Sequence, residues 1–580
     1  MESIQLSSLD THFADFIVRI EGRACEGLWL AAALVSSCSS HSHVCLELSA
    51  LAGSGVVPIG PWRESLKVPQ PGIWQEILSR CSTVGRPGDY TPLVLDAGGR
   101  LYLHRSWDAE RRLAEGILCR SALLCRDYAV LAAGLGRYFP PAVDGKDLQR
   151  EAAQAALSHQ FTVISGGPGT GKTTTVTRIL ALLIEQAGNE TPAIFLAAPT
   201  GKAAMRLKQS LAHSSDLLPL SDSVRSALPR EVATIHRLLG VIPGRSEFRF
   251  HRDNPLPCDV LVVDEASMID LPLMARLLDA LRPEARVILL GDRDQLASVE
   301  AGAVLSDICA GGCPDRSTGA GRPAIVHLTK SYRFPDESGI GRLSRLINAG
   351  NGEGALELLA SGACPDVCWR PLPAAGSFAG ALMESTIQGY ALYAQATNPV
   401  EALDALDRFR VLAPHREGRH GVGSLNRLIE SVLARAMPAG LKDCHRKPVM
   451  ITSNNYDLGL YNGDTGVMTG AQGEESPSVY FPGPETGEVR RVSALRLPQH
   501  EPAFALTVHK TQGSEFDHVL LILPDQVSEV LSRELLYTAV TRARKRVEIW
   551  GDEEVFCQAV ARRVERSSGL RDRLWKGEYQ

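Results

Sequence analysis

The sequence has no run of about 18 apolar residues, the length a membrane-spanning helix needs. Its longest candidate, GLWLAAALV at 27–35, is far too short. Paired cysteines are also missing: the 13 Cys are scattered and none forms CxxC. Neither Cys309/Cys313 nor Cys364/Cys368 has the His cluster or second pair that completes a zinc site. An odd count without a framework points to reduced structural thiols and a cytoplasmic chain. Aromatic residues make up only 6%, so any base-stacking surface has few rings to use. No sign of charge dominates, with 61 Lys+Arg against 66 Asp+Glu and a net charge of −5. That excludes a protein that coats a polyanion and leaves room for a local basic groove. The first residues, MESIQLSSLDTHF, have no basic n-region, so secretion is not expected. Internal repeats and long low-complexity tracts are absent too. What is present is 580 residues, 44% hydrophobic and 22% charged. That is a globular composition with length for about four domains.

Residues 1–135 are rich in Leu, Ala and Cys and read as mainly helical, as in ACEGLWLAAALVSSC and SWDAERRLAEGILCRSALLCRDYAVLAAGL. From Phe161 the texture changes to short apolar runs ended by polar or Gly-rich turns, at 161–167, 193–200, 259–267 and 286–292. Such runs, separated by helical stretches, predict central strands of a parallel sheet buried on both faces. Val176, Ile179, Leu180 and Leu183 mark a helix after the first of them. A Gly-rich break at 310–324 precedes a second block, with runs at 408–414, 503–509, 518–524 and 546–551. Between these, residues from about 440 to 500 lack helical periodicity and carry the turn pairs Asn462-Gly463 and Pro482-Gly483. That pattern predicts a small β insertion.

Gly166, Gly167, Pro168, Gly169, Thr170, Gly171, Lys172 and Thr173 spell GxxxxGK[ST] between a predicted strand and a predicted helix. The glycines let backbone N–H groups wrap phosphates, and the helix N-terminus adds its positive dipole end. Lys172 is expected to reach the β/γ-phosphates of ATP and the Thr173 hydroxyl to ligate Mg²⁺, with Thr174 beside it. Asp264 and Glu265 close the run CDVLVVDE. A carboxylate pair at the C-terminal edge of a strand in the same sheet suits Mg²⁺ binding by Asp264 and water activation by Glu265. Gln295 in GDRDQL follows a further strand and is expected to orient the attacking water or sense the γ-phosphate.

These motifs describe a nucleoside triphosphatase, and the next set adds nucleic acid. Thr200, Gly201 and Lys202 in LAAPTGKAAMRL lie at a strand-to-helix turn, where small polar groups and amides can hold DNA phosphates. His236 and Arg237 open another short helix in TIHRLLG. In the second block, Arg333 of SYRF and Arg542 of LLYTAVTRARKR are candidate γ-phosphate guanidiniums. An arginine supplied by another domain couples hydrolysis to domain closure and contributes about 10³–10⁵ in rate. Lys545 and Arg546 read as a solvated basic helix end.

Taken in order, VISGGPGTGKTTTV, LAAPTGKAAMRL, TIHRLLG, LVVDEASMID, LLGDRDQLASVEAGAVL, LTKSYRF, YNGDTGV, TVHKTQGSEFDHVLLILP and LLYTAVTRARKR resemble the superfamily-1 helicases. More closely they resemble the RecD family, the α subunit of exonuclease V (RecBCD). The resemblance spans residues 145–550, and LDTHFADFIVRIEG and HVCLEL extend it to the N-terminal stretch. It implies ATP-dependent 5′→3′ translocation on single-stranded DNA and assembly with RecB and RecC. The implied architecture is two RecA-like P-loop domains, a small β (SH3-like) insertion in the second, and a mainly helical N-terminal domain. The boundaries expected are 1–135 for the N-terminal docking domain and 136–325 for the first RecA-like domain. The second is expected over 326–435 and 501–580, with the insertion over 436–500. By the family pattern Gln149 reads adenine, Gly513 and Glu515 lie where nucleotide and DNA meet, and His509, Lys510 and Thr511 lie near the DNA track. The sequence departs from that pattern at His415, Arg419 and His420, and in having Ser453-Asn454-Asn455 where Arg-Asn-Asp is usual.

No cluster of carboxylates with a lysine, as in a metal-dependent nuclease, occurs outside these motifs, so cutting is expected of a partner chain. Residues 1–135 also lack the paired GxG hairpins of free-standing RecD-like helicases. The alternatives to a complex-bound helicase are a regulatory ATPase or assembly subunit that clamps DNA without unwinding it, and a free-standing RecD-like helicase.

Overall fold

The computed structural model describes residues 6–51, 56–57, 66–121, 134–139, 147–188, 190–242, 244–245, 247–311, 322–335, 337–436, 446–455, 457–470, 477–483 and 488–576. The N-terminal domain is built around the helix Glu26–Ser40, in which every residue from Leu28 to Val35 is buried. A helix apolar on all sides must be wrapped on all sides. The helix Ser8–Glu21 covers one face, entered through a capping box between Ser7 and Asp10. A small sheet lies beside it, made of Cys45–Glu47 (β1), Val84–Gly85 (β2), Leu93–Leu95 (β3) and Arg100–Leu103 (β4) in the order β1-β4-β3-β2. Helices dominate this domain, as the composition indicates, and the sheet is an addition. Residues 122–133, inside the helical stretch expected from SWDAERRLAEGILCRSALLCRDYAVLAAGL, lie outside the described residues.

The first α/β domain is a six-stranded, all-parallel sheet. Its strands are Phe161–Gly166 (β5), Ile194–Ala198 (β6), Val232–Thr234 (β7), Val260–Val263 (β8), Arg286–Gly291 (β9) and Ala324–Leu328 (β10), ordered β10-β5-β9-β8-β6-β7. All positions of β5 and β9 are buried, which is why they read as unbroken apolar runs. Strand β10 pairs with β5, so the expected boundary at 325/326 cuts a strand of this sheet and must move beyond Leu328.

The chain then forms Val367–Pro371 (β11) and Phe409–Ala413 (β12) before leaving for an antiparallel module. That module comprises Lys447–Ile451 (β13), Thr465–Thr469 (β14), Ser478–Pro482 (β15), Val489–Ser493 (β16) and His500–Pro502 (β17), ordered β16-β15-β14-β13-β17. Its last strand runs to Pro502, just past the expected limit of 500. The chain returns with Ala505–Thr507 (β18), Phe516–Ile522 (β19) and Ala543–Gly551 (β20), completing a parallel sheet ordered β11-β20-β19-β12-β18. Lys545 and Arg546 lie within the first half of strand β20 and are exposed; they do not end a helix.

The C-terminal tail does not stay with the second α/β domain, where the boundary 501–580 put it. Its helix Leu570–Trp575 packs against the helices His104–Cys119 and Val304–Cys309. Glu110, with no solvent exposure, accepts from Gly569 N at 2.9 Å and pairs with Arg573 Nε at 2.9 Å, while Arg100 pairs with Asp572 at 2.7 Å. A buried carboxylate needs such partners, and the tail brings them across the chain. Helix His104–Cys119 also packs on helix Leu271–Asp279 of the first α/β domain, with Arg112 paired to Asp279. The N-terminal and first α/β domains therefore share one core. Among the described residues no helix is long and apolar enough to cross a membrane.

Candidate active site

The phosphate loop joins β5 to the helix Lys172–Ala187, which we label α1. Gly169 (φ +77°) and Gly171 (φ +80°) take left-handed conformations that L side chains rarely adopt. A Cβ at Gly169 would collide with Arg333, and one at Gly171 with Gln149, so the loop is held between those two side chains. Gln149 Nε2 donates to Thr170 O at 3.2 Å. Lys172 Nζ donates to Gly166 O at 2.5 Å and Gly167 O at 3.1 Å, keeping its charge over the loop. Thr173 and Thr174 stand in the first turn of α1.

Asp264 and Glu265 follow β8, two strands from β5 in the sheet. Glu265 sits at φ +51°, ψ +41°; among the described residues only Ser42 shares a positive φ without being glycine. Holding a non-glycine residue there costs on the order of 1–3 kcal/mol. The turn lets Glu265 N donate to Asp264 Oδ1 at 2.8 Å. Burial and then the Glu265 charge push the Asp264 carboxyl up, against Lys172 and Arg206.

The second α/β domain faces this edge with arginines. Arg542 caps the helix Arg533–Thr541, which we label α2, and is 1% exposed. Its Nε donates to Thr538 O at 3.2 Å and its Nη1 to Ser514 O at 3.1 Å. Burial lowers its pKa, with Glu265 and Glu515 opposing. Glu515 gathers three guanidiniums: Arg206, Arg333 Nη1 at 2.7 Å and Arg544 Nε at 3.3 Å. Burial would raise the Glu515 carboxyl, but Arg206 and Arg333 outweigh it and hold it well below the usual carboxylate range.

Gln295 is turned into the protein. It is 5% exposed and donates to Asp292 Oδ2 at 3.1 Å, an oxygen that also accepts the Tyr537 hydroxyl at 2.9 Å. Four residues at this edge were missed by sequence reasoning. Arg206 lies one turn after Lys202, so LAAPTGKAAMRL contained its signal. Asp292 and Tyr537 stand inside quoted motifs without a role. Tyr332, beside Arg333, is 62% exposed, its N–H donates to Gly169 O at 2.8 Å, and its ring flanks Gly171.

The expected DNA-contacting residues are only partly brought together. Thr200 caps the helix Gly201–Leu217, with Ala203 N donating to its Oγ1 at 3.2 Å. Gly513 (φ +71°) packs on Ala203, which places the 509–513 turn of the second domain against that helix start. Gly201 abuts the Tyr461 ring of the β module. Lys202 points toward Phe516, 6.0 Å from the ring centroid, and burial lowers its pKa. Lys510 pairs with Glu501 at 2.6 Å. His509 is partly buried, which lowers its pKa. One expectation needs correcting. Thr511 has no exposure and its hydroxyl closes its own turn on Val508 O at 2.7 Å, so it has no group to offer DNA. His236 stands edge-on to Phe248 and follows Thr234 by two residues, as Thr200 follows Ala198, the strand partner of Thr234.

A phosphate loop and acid pair on one parallel α/β sheet, met by the buried Arg542 of a second and by Arg333 of the segment that joins them, define a motor ATPase of the superfamily-1 helicase class. Residues 2–102 match the family described as RecBCD enzyme subunit RecD, N-terminal domain. Residues 149–301 match an AAA domain and 502–549 a UvrD-like helicase C-terminal domain. The RecBCD enzyme subunit RecD of Mycolicibacterium smegmatis is 38% identical over 581 residues, covering 98% of this chain and 97% of that protein. The RecBCD enzyme subunit RecD of Haemophilus influenzae is 37% identical over 522 residues, covering 81% and 80%. The ATP-dependent RecD2 DNA helicase of Deinococcus radiodurans is 33% identical over 485 residues, 82% of this chain and 59% of that protein. The chain belongs to the RecD family and is an ATP-dependent DNA helicase.

Proposed function

We propose that the chain is the 5′→3′ motor of a cytoplasmic RecBCD-type complex, moving along single-stranded DNA as its two α/β domains close on ATP and open again. The observation that carries this reading is that Glu515 of the second domain is paired with Arg206 of the first, beside Glu265, so the seam between domains runs through the catalytic edge. The N-terminal domain of residues 1–135, fused to the first α/β domain through a shared core, is the docking unit for RecB and RecC. Strand breakage in DNA degradation and recombinational repair falls to a partner chain.

The loop Gly166–Thr174 holds the phosphates through its N–H groups and Lys172. Gln149 and the exposed ring of Tyr332 flank the loop on the side where the base would rest. The Thr173 hydroxyl and the Asp264 carboxylate are oxygen donors of the kind a hard cation takes. Bound there, Mg²⁺ would neutralise charge on the β- and γ-oxygens. Glu265 orients and deprotonates the attacking water. Arg542 and Arg333 stabilise the charge that develops on the γ-phosphoryl oxygens, and Gln295 reports its state through Asp292. Thr200, Gly201, Lys510 and His509 hold the DNA backbone, in sequence-tolerant and salt-sensitive fashion, with Lys202 and His236 behind them.

Tailed duplexes test the reading. Those with a 5′ single-stranded tail are expected to be unwound and those with a 3′ tail not. The opposite preference overturns the assigned polarity, and failure on both with intact ATP hydrolysis leaves a DNA clamp.

A further inference from the structure

Asp292 and Tyr537 have no direct part in the chemistry above, yet they meet at the floor of the phosphate loop. Asp292 follows β9 and is 2% exposed. Its Oδ1 accepts Asp294 N at 3.1 Å, and its Oδ2 takes both Gln295 Nε2 and the Tyr537 hydroxyl. A Cβ built on Gly167 would stand 2.9 Å from Tyr537 Oη and 3.9 Å from Asp292 Oδ2. The phenol of the second domain therefore touches the loop of the first.

Two more hydrogen bonds cross the seam here. Leu296 N donates to Thr538 Oγ1 at 2.9 Å, and Gln512 Nε2 donates to Leu296 O at 2.8 Å. The stretch from Asp292 to Leu296 is thus fastened to adjacent residues of α2. The same turn of α2 holds Arg542, whose Nε donates to Thr538 O at 3.2 Å. Burial, Asp292 and Asp294 all push the Tyr537 phenol well above its ordinary value, so the hydroxyl remains a donor. A donor to a carboxylate in a dry seam is directional and strong, and losing it leaves the acceptor underpaired.

We propose that Tyr537, through its hydrogen bond to Asp292, is the positioning residue that sets the register of Arg542 against the phosphate loop. One bond between the domains then links the loop, the Gln295 side chain and the arginine. The inference rests on the reading of Arg542 as a γ-phosphate arginine. It goes beyond that reading by giving Tyr537 a task and by tying Asp292 to the placement of Arg542.

The test is steady-state ATP hydrolysis by the full chain at saturating oligo-dT, comparing Tyr537→Phe with wild type. The ring and its packing stay, and only the hydroxyl goes. kcat is expected to fall about ten-fold or more, the factor that loss of a charged hydrogen bond carries, with KM for ATP within about two-fold. Asp292→Asn, which weakens the same bond from the other side, is expected to move kcat in the same direction. In an Arg542→Ala background Tyr537→Phe is expected to cause no further loss, because both act through the same guanidinium. Wild-type kcat in Tyr537→Phe, a parallel change in kcat and KM, or a full additional loss in the double variant overturns the proposal. Lys172→Ala separates the two levels. If it is inactive while Tyr537→Phe is unimpaired, only the positioning role fails; if it hydrolyses ATP normally, the ATP site itself is misassigned and the proposal falls with it.

Discussion

Glu515 meets Arg333 at 2.7 Å, and on its other sides it holds Arg206 and Arg544. Arg206 comes from the first α/β domain, Arg544 from β20 of the second, and Arg333 from the segment that joins them. A carboxylate ringed by guanidiniums offers them what a phosphate oxygen offers. Its position before β19, at the seam, makes it the point where arginine placement depends on how the domains sit.

Replacing Glu515 by Gln is expected to destabilise the chain by about 1–3 kcal/mol, since it removes the buried anion that three partly exposed guanidiniums share. The effect has a pH signature. The folded carboxyl lies below its ordinary value of 4.5, so its contribution is present above that pH and is lost as pH falls toward the folded value. The gap in melting temperature between wild type and Glu515→Gln should be flat at neutral pH and shrink steadily below about pH 4.5. A gap that is unchanged down to pH 3 excludes the ion-pair origin.

Arg542→Ala is expected to cut turnover by about 10³ or more while ATP affinity stays within a few-fold. Equilibrium binding of a fluorescent ATP analogue, measured beside kcat, separates the two. Its guanidinium is buried between the carbonyls of Ser514 and Thr538, so a thermal melt should accompany the kinetics. If binding and turnover fall together with the melting temperature, Arg542 is a structural residue.

Lys510 and Thr511 are neighbours in sequence with opposite expected behaviour. Lys510→Ala should weaken oligo-dT binding and reduce the salt dependence of log K by about one phosphate contact. Thr511→Val should leave DNA affinity unchanged and cost about 1 kcal/mol of stability through its lost turn hydrogen bond. Equal effects on DNA binding would contradict the burial of Thr511.

The sheets and the phosphate loop were legible because their determinants are local. Strands β5, β8 and β9 are buried on both faces, which forces unbroken apolar runs, and Gly169 and Gly171 stand where only glycine adopts the needed backbone. The β module showed itself through Asn462-Gly463 for the same reason. Contacts across domains were not legible. Nothing near Arg206 says that it will meet Glu515, roughly 300 residues away. The motif TVHKTQGSEF does not reveal that Thr511 turns inward while Lys510 turns out. Likewise Gly569–Trp575 has no motif, because its partners Glu110 and Arg100 lie in the N-terminal domain and only the folded chain brings them together. The strand Ala324–Leu328 was hidden by the Gly-rich stretch before it, which looked like a boundary and precedes the last strand of the first sheet.

The claim on which the rest depends is that ATP hydrolysis at this seam is driven by DNA. The most direct measurement is the steady-state rate of ATP hydrolysis by the purified chain, with and without single-stranded DNA, for wild type and Lys172→Ala. The expected result is strong stimulation by DNA in wild type and no hydrolysis in the variant. Hydrolysis that is abolished by Lys172→Ala but indifferent to DNA would contradict the motor and leave a nucleotide switch in its place.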